Sequence, residues 1–260
     1  MPRKILGVVP ARFASSRFPG KVLAPISSKS MLQHVFERAS LARYLTSTII
    51  ATDDQRVYDA ARGFGAPVRM TRSDHPSGTD RVAEVASAES ASIVVNIQGD
   101  EPLIDPDAID AAILPLIHDS EVAMATLKKR IEDPREIGDP NVVKVVTNRA
   151  GDAIYFSRCP IPFVRDPAAP GMHFKHIGLY VYRRDFLLSY SSLPIGPLER
   201  AERLEQLRAL ENGHPIRVVE TEYESVGVDT PEDLARVARL FEARPLGPVG
   251  LGCPEEAHRG

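Results

Sequence analysis

The chain has no tryptophan and only two cysteines, Cys159 and Cys253. They lie far apart and outside any metal-ligand spacing, which argues against a disulfide framework and a cysteine metal cluster. Such sparse cysteine usage fits a cytoplasmic protein. No apolar run approaches the roughly 20 residues that span a bilayer. Arg3 and Lys4 are not followed by the long apolar region of a signal peptide. Neither sign of charge dominates: the formal net charge is −3 over 260 residues, so no whole-protein field draws the chain to nucleic acid or to a membrane. The pattern G-x-x-x-x-G-K-[ST] is missing, which excludes a Walker A loop, and no internal repeat is visible. What is present, 43% hydrophobic and 26% charged residues, suits a folded chain with a sizeable core rather than a disordered one.

The first half alternates strand and helix patterns. Residues 5–9 read as a buried strand. Ser30 caps a helix to about residue 42, with Gln33 at the capping-box position. Strands follow at 48–52, 68–70, 93–96 and 122–125, separated by helices at 54–64, 79–88 and about 105–117. The last of these opens with Asp105 as N-cap and Pro106 at the first helical position. This order predicts an α/β fold with a doubly wound, mostly parallel sheet. The middle differs: strands at 142–146, 153–156 and 177–182 have no long helix between the first two, and a hairpin turn falls at 148–152. A proline-rich excursion runs from 160 to 171. One long amphipathic helix is expected over 197–212, with Leu204, Leu207 and Leu210 on helical spacing. A strand at 216–219 and a final helix starting at Thr230-Pro231 complete the pattern. We therefore expect one domain over residues 1–243. Within it, residues 130–195 form a smaller strand-rich region, and 244–260 form a disordered tail.

The loop after the first strand carries Arg12, Arg17 and Lys21 with no compensating acid. A strand opening into such a loop places N–H groups and cations at the carboxyl edge of a sheet, where open α/β folds bind ligands. The three cations suit a polyphosphate; a solvated basic loop fits the local sequence equally well. Asp100 and Asp229 both follow apolar strand patterns, and carboxylates so placed can hold Mg²⁺ together with substrate phosphates. Taken singly, each also fits a turn or cap. Ser77 and Gly78 lead into a helix, as an anion site or an ordinary N-cap.

The residues Arg12, Ser15, Arg17, Pro19, Gly20 and Lys21 spell R-x-x-S-x-R-x-P-G-K, a pattern similar to that of the sugar nucleotidyltransferases. Three further segments narrow the resemblance. They are Asp74-His75-Pro76-Ser77-Gly78-Thr79-Asp80-Arg81, Asn96-Ile97-Gln98-Gly99-Asp100-Glu101-Pro102, and Val226-Gly227-Val228-Asp229-Thr230-Pro231-Glu232-Asp233-Leu234. In this order the set resembles the 3-deoxy-manno-octulosonate (KDO) cytidylyltransferases, from about Lys4 to about Leu240. The resemblance implies a nucleotide-diphospho-sugar transferase-like fold, a homodimer, and Mg²⁺-dependent transfer of CMP from CTP to KDO for lipopolysaccharide synthesis. It implies Arg12, Lys21, Asp100 and Asp229 as catalytic residues, with Asp100 and Asp229 holding the metal. Ala11, Arg12, Arg17, Lys21, Ser77, Gly78, Arg81 and Asp100 are then expected around the nucleotide. Gln98, Arg158, His176, Glu205 and Gln206 are expected around the sugar, with Arg158 receiving its carboxylate.

Two departures stand out. Val22 replaces the proline common after P-G-K in these enzymes, and Ser28-Lys29-Ser30-Met31 replaces a G-K-P-M segment. Neither removes a charged or metal-binding residue. Other readings are a cytidylyltransferase for a different acidic ketosugar, such as a sialic acid or an amino-KDO; a nucleotide-sugar-dependent glycosyltransferase; and a non-catalytic CTP-binding module.

Overall fold

A computed structural model describes residues 3–15, 17–166 and 172–243. The tail expected at 244–260 and the end of the proline-rich excursion lie outside the described residues. The first half runs β1 (Ile5–Pro10), α1 (Met31–Ala39), β2 (Ser47–Thr52), α2 (Gln55–Gly63), β3 (Val68–Met70), α3 (Gly78–Ser87), β4 (Ile93–Asn96) and α4 (Pro106–His118). Then come β5 (Met124–Arg130), α5 (Pro134–Gly138), β6 (Lys144–Thr147), β7 (Ala153–Ser157), β8 (Phe174–Arg183) and α6 (Arg184–Tyr190). The last elements are α7 (Pro197–Glu202), α8 (Leu207–Glu211), β9 (Arg217–Glu220) and α9 (Pro231–Ala243).

These nine strands form one sheet with the path β9-β5-β8-β4-β1-β2-β3; β6 pairs with β8 and β7 off that path. β1 runs parallel to β2 and β4, β2 to β3, and β5 to β9, whereas β8 is antiparallel to β4 and β5. The result is the expected α/β sheet, mostly parallel and flanked by helices. β1 is buried on both faces because helices cover both. Ile5 and Val9 join the apolar cluster of α1, α4 and α9, while Leu6 and Val8 join that of α3 and α6. The chain leaves β1 for β2 and β3 on one side, then returns to β4 on the other. That reversal is a topological switch point, and it opens a crevice at the carboxyl ends of β1 and β4.

The helix starts follow side-chain chemistry. Ser30, Asp54, Ser77 and Asp105 each accept a backbone N–H of the first turn they precede. Ser30 caps α1 as expected, but the Gln33 side chain turns to Glu37 (2.9 Å) rather than back to the cap. At α9 the box is complete: Thr230 Oγ1 accepts from Asp233 N, and Asp233 accepts from Thr230 N.

Two expectations are corrected. The strand expected at 122–125 is β5, which begins at Met124 and continues through Lys128, Lys129 and Arg130. The apolar run stops early, but the ladder to β8 does not, and Lys128 and Lys129 find Glu220 and Glu224. The single helix expected over 197–212 is broken into α7 and α8. Arg203 caps α7 in the left-handed region (φ 52°, ψ 48°), so the chain doubles back. Glu211 of α8 then accepts the N–H groups of Leu198 and Glu199 at the start of α7 (2.9 and 3.0 Å). Glu199 and Arg208 face each other in a buried bidentate pair at 2.9 and 2.6 Å, which a continuous helix does not permit.

The strand-rich region is an outgrowth of the main sheet, since β8 belongs to both. Asn148 accepts from Ala150 N and Asp152 N to turn β6 into β7. Buried Lys144 donates to the carbonyls of Asp139, Val142 and Arg158 at its base.

Removing one partner of a buried ion pair strands the other charge. Glu199→Ala is therefore expected to lower the unfolding free energy by about 3 kcal/mol, read from the urea midpoint. An unchanged midpoint would show that the α7–α8 fold does not depend on this pair.

Candidate active site

The crevice is built where three loops meet at Pro10, the last residue of β1. Gly99, after β4, lies so close that a Cβ there would sit 2.7 Å from the Pro10 carbonyl oxygen. Gly78 packs on the Pro10 ring, a built Cβ lying 3.7 Å from it. These glycines let the β1 and β4 loops and the start of α3 close into one cleft of about 450 Å³. Arg12, Lys21, Ser77, Gly78, Gln98 and Asp100 line it. The loop after β1 is itself tied off. Gly20 N donates to Phe13 O at 2.8 Å, and Gly20 takes φ +75° where a side chain would strike the Phe13 ring. Arg56 caps that ring from outside, 3.4 Å from its centroid.

Lys21 is the centre of the site. It is 9% exposed, and its Nζ donates to Asp100 Oδ2 (2.7 Å), Val228 O (2.8 Å) and Asp229 Oδ1 (2.9 Å). Burial opposes its charge, but the Asp100 and Asp229 carboxylates outweigh that effect and hold its pKa above the ordinary lysine value. Arg17 reaches the other oxygen of Asp229 at 2.9 Å across an exposed surface. Arg12 donates to His75 O at 2.8 Å, bridging the first loop to the loop before α3. Ala11 is buried, and its N–H is taken by Ala51 O, so its amide does not face the cleft.

Asp100 and Asp229 thus converge on one cation from two segments of chain. Two hard oxygen donors, with no group of three or more potential ligands among the described residues, supply two of the six positions of an octahedral shell. That set fits Mg²⁺, which commonly takes one or two carboxylates and completes its shell from phosphates and water.

A second cavity of about 210 Å³ adjoins the cleft and shares Pro10, Gly78 and Gln98 with it. Its remaining wall includes Asn96, Tyr180, Tyr182, Tyr190, Glu205 and Gln206. Asn96 Oδ1 and Gln206 Nε2 are buried there without a hydrogen-bond partner, so a polar occupant would satisfy them. Burial pushes the Glu205 carboxyl above the usual range. Gln98 Nε2 donates to Gly178 O (3.0 Å), a carbonyl presented by the register shift in β8 between Ile177 and Tyr180. Glu205 and Gln206 reach this cavity only because the chain breaks at Arg203.

Besides Ala11, which lines neither cavity, three expected site residues are held elsewhere by their own partners. Arg81 is wholly buried; it pairs with Asp53 at 2.8 Å and bonds to Thr71, so its cation holds α3 to the end of β2. Arg158 does not border either cavity. Its guanidinium donates to the carbonyls of Glu202 (2.7 Å) and Pro140 (2.9 Å), fixing the end of α7. His176 lies beneath the second cavity, between the rings of Phe156 and Tyr180, with Nε2 2.9 Å from Thr126 Oγ1. Burial drives its pKa down to about 3, so it remains neutral. The Val228 and His75 carbonyls carry no signal in side-chain identity, so no sequence pattern points to them. The tyrosines do carry one: Tyr180 and Tyr182, two apart, share one face of a strand. Glu101, adjacent to Asp100, is also buried. Burial lifts its pKa to about 7, and the Asp100 charge adds to the effect.

The sequence model of the cytidylyltransferase family matches residues 6–220. Over 252 residues, 97% of this chain and 100% of the relative, the chain is 78% identical to the 3-deoxy-manno-octulosonate cytidylyltransferase of Solibacter usitatus (strain Ellin6076). It is 57% identical to that of Syntrophotalea carbinolica (strain DSM 2380 / NBRC 103641 / GraBd1), over 90% of this chain and 96% of the relative. Among solved structures it superposes on a CMP:2-keto-3-deoxy-manno-octonic acid synthetase complexed with CTP. The TM-score is 0.89 at 45% identity, covering 92% of this chain and 99% of the other. With that cleft geometry and these likenesses together, the chain belongs to the cytidylyltransferase family, within its 3-deoxy-manno-octulosonate cytidylyltransferase branch.

Proposed function

We propose that the protein transfers CMP from CTP to KDO, releasing pyrophosphate and forming CMP-KDO for lipopolysaccharide synthesis. The observation that carries this reading is the shared wall of the two cavities. A nucleotide in the larger cleft and an acidic sugar in the smaller one would meet at Gln98, Gly99 and Asp100, beside Lys21. The anomeric hydroxyl attacks the α-phosphorus in line, its proton is released, and the bond to the bridging oxygen breaks so that pyrophosphate leaves with the electron pair.

The residues act mainly by positioning and charge. Arg12 and Lys21 are placed to balance the negative charge that grows on the phosphates, and Arg17 guards the open side of Asp229. Ser77 and Gly78 open α3 toward the cleft, where backbone groups read a pyrimidine ring. Gln98, Glu205 and Gln206 offer hydrogen bonds to sugar hydroxyls. Asp100 and Asp229 would hold Mg²⁺, which when bound neutralises phosphate charge and lowers the pKa of the attacking hydroxyl. An exposed Cys159 thiol fits a cytoplasmic setting. Ile154, Phe163 and Met172, 61%, 86% and 53% exposed in the strand-rich region, support a homodimer formed there.

The direct test mixes protein, CTP, Mg²⁺ and KDO and measures pyrophosphate, with no-sugar and sialic-acid controls and a mass for CMP-KDO. Release that needs both KDO and Mg²⁺ is expected; release only with another ketosugar acid overturns the substrate. Lys21→Ala is expected to lower kcat by about 100-fold, the loss of one transition-state charge contact. A near-normal kcat would remove Lys21 from the mechanism. Gly99→Ala forces a methyl group against a fixed carbonyl and is expected to cost about 1–3 kcal/mol of stability together with CTP binding. Wild-type CTP affinity in that variant would show that the close approach is not required.

A further inference from the structure

Asp100 and Asp229 lie on different segments, and their separation must be set before an ion or nucleotide arrives. One join is in the main chain, where Val228 N donates to Asp100 O at 2.9 Å. A second lies deeper. Glu101 and Tyr223 are 7% and 8% exposed, and the Tyr223 hydroxyl donates to Glu101 Oε2 at 2.9 Å. The Ser225 side chain bonds the same carboxyl. Glu101 directly follows Asp100, while Tyr223 and Ser225 belong to the segment 221–229 that ends at Asp229.

That segment has no helix or strand of its own, so individual main-chain and side-chain anchors set its course. Thr221 N bonds Lys128 O at 2.9 Å, and Glu224 pairs with Lys129 at 2.9 Å and Lys175 at 2.5 Å. These fix the first half of the segment to β5 and β8. Lys21 bridges the far end of the segment to Asp100, and apart from that cation the Glu101–Tyr223–Ser225 cluster and the Val228 amide tie it directly to the Asp100 loop. Neither Glu101 nor Tyr223 lines the nucleotide cleft or the adjoining cavity.

We propose that Glu101 and Tyr223 are positioning residues, whose buried hydrogen bond braces the 221–229 segment against the Asp100 loop and sets the spacing of the two carboxylates. This rests on the assignment of Asp100 and Asp229 as metal ligands. Removing the tyrosine hydroxyl leaves a buried carboxyl oxygen one donor short, and a misplacement of about 1 Å at a reacting centre can cost 10²-fold.

The test titrates Mn²⁺ into the protein–CTP complex, reading free Mn²⁺ by EPR, for wild type, Tyr223→Phe, Glu101→Ala and Glu101→Gln. CTP affinity is measured in parallel in EDTA. Tyr223→Phe and Glu101→Ala are expected to weaken Mn²⁺ binding by about tenfold, as loss of a partner behind a metal ligand does, with CTP affinity in EDTA unchanged. Glu101→Gln still accepts from Tyr223 and is expected to keep wild-type Mn²⁺ affinity. Wild-type Mn²⁺ affinity in Tyr223→Phe and Glu101→Ala overturns the brace. So does an equal loss of CTP affinity in EDTA, which marks general loosening. If the wild-type complex binds Mn²⁺ no more tightly than CTP alone, titrated as a protein-free control, the metal assignment fails and the brace fails with it.

Discussion

The buried ammonium of Lys21 is the contact on which the site depends. It joins three segments that are distant in the chain: its own loop, the Asp100 loop 79 residues later, and Val228-Asp229 more than 200 residues later. Two carboxylates this close repel each other unless a cation stands between them. Lys21 supplies that cation, and the carboxylates in turn repay the desolvation of its charge. The arrangement is preorganised for anions: a cation held in low-dielectric surroundings acts on phosphate far more strongly than one in water.

Around that point the sheet does the placing. β1 and β4 run parallel and open onto the same edge of the sheet, β1 reaching two residues further, and the reversal of chain direction between them leaves room for a ligand. Small residues then bring the loops into contact. Gly99 is required by its approach to the Pro10 carbonyl and Gly20 by its left-handed backbone. The antiparallel β8 supplies what a purely parallel sheet lacks. Its irregularity offers the Gly178 carbonyl to Gln98, and its alternating tyrosines face the smaller cavity. The aromatic walls and the unpartnered amides of Asn96 and Gln206 suit a polyhydroxylated molecule, since apolar faces and hydrogen-bonding groups must both be met.

The break at Arg203 shows how tertiary contacts override a periodic pattern. Leu204, Leu207 and Leu210 sit at helical spacing, and no proline or glycine interrupts residues 198–212. A continuous helix there is the natural expectation. The doubled-back arrangement wins because it satisfies the buried Glu199–Arg208 pair and lets Glu211 cap α7, contacts between residues nine to thirteen apart. The left-handed Arg203 costs on the order of 1–3 kcal/mol, offset by those bonds and by Arg158 on the Glu202 carbonyl.

By itself the sequence determined the α/β alternation, the helix caps, the cationic first loop and the Asp100 carboxylate after β4; Asp229, expected at the end of a strand, instead closes the irregular segment 221–229. Each of these is written in local residue identity: apolar runs, Ser or Asp before a helix, unpaired Arg and Lys near glycine. It determined the family as well, because its motifs are contiguous. Only the tertiary structure decided which cations face the cleft. Arg81 and Arg158 carry the same charge as Arg12 and Lys21, but they bond to Asp53 and Thr71 and to the Glu202 carbonyl, groups brought near only by folding. It also decided that Lys21 binds Val228 O and that Glu101 meets Tyr223, 122 residues away. A main-chain carbonyl has no letter in the sequence, and a contact across that many residues leaves no period to read.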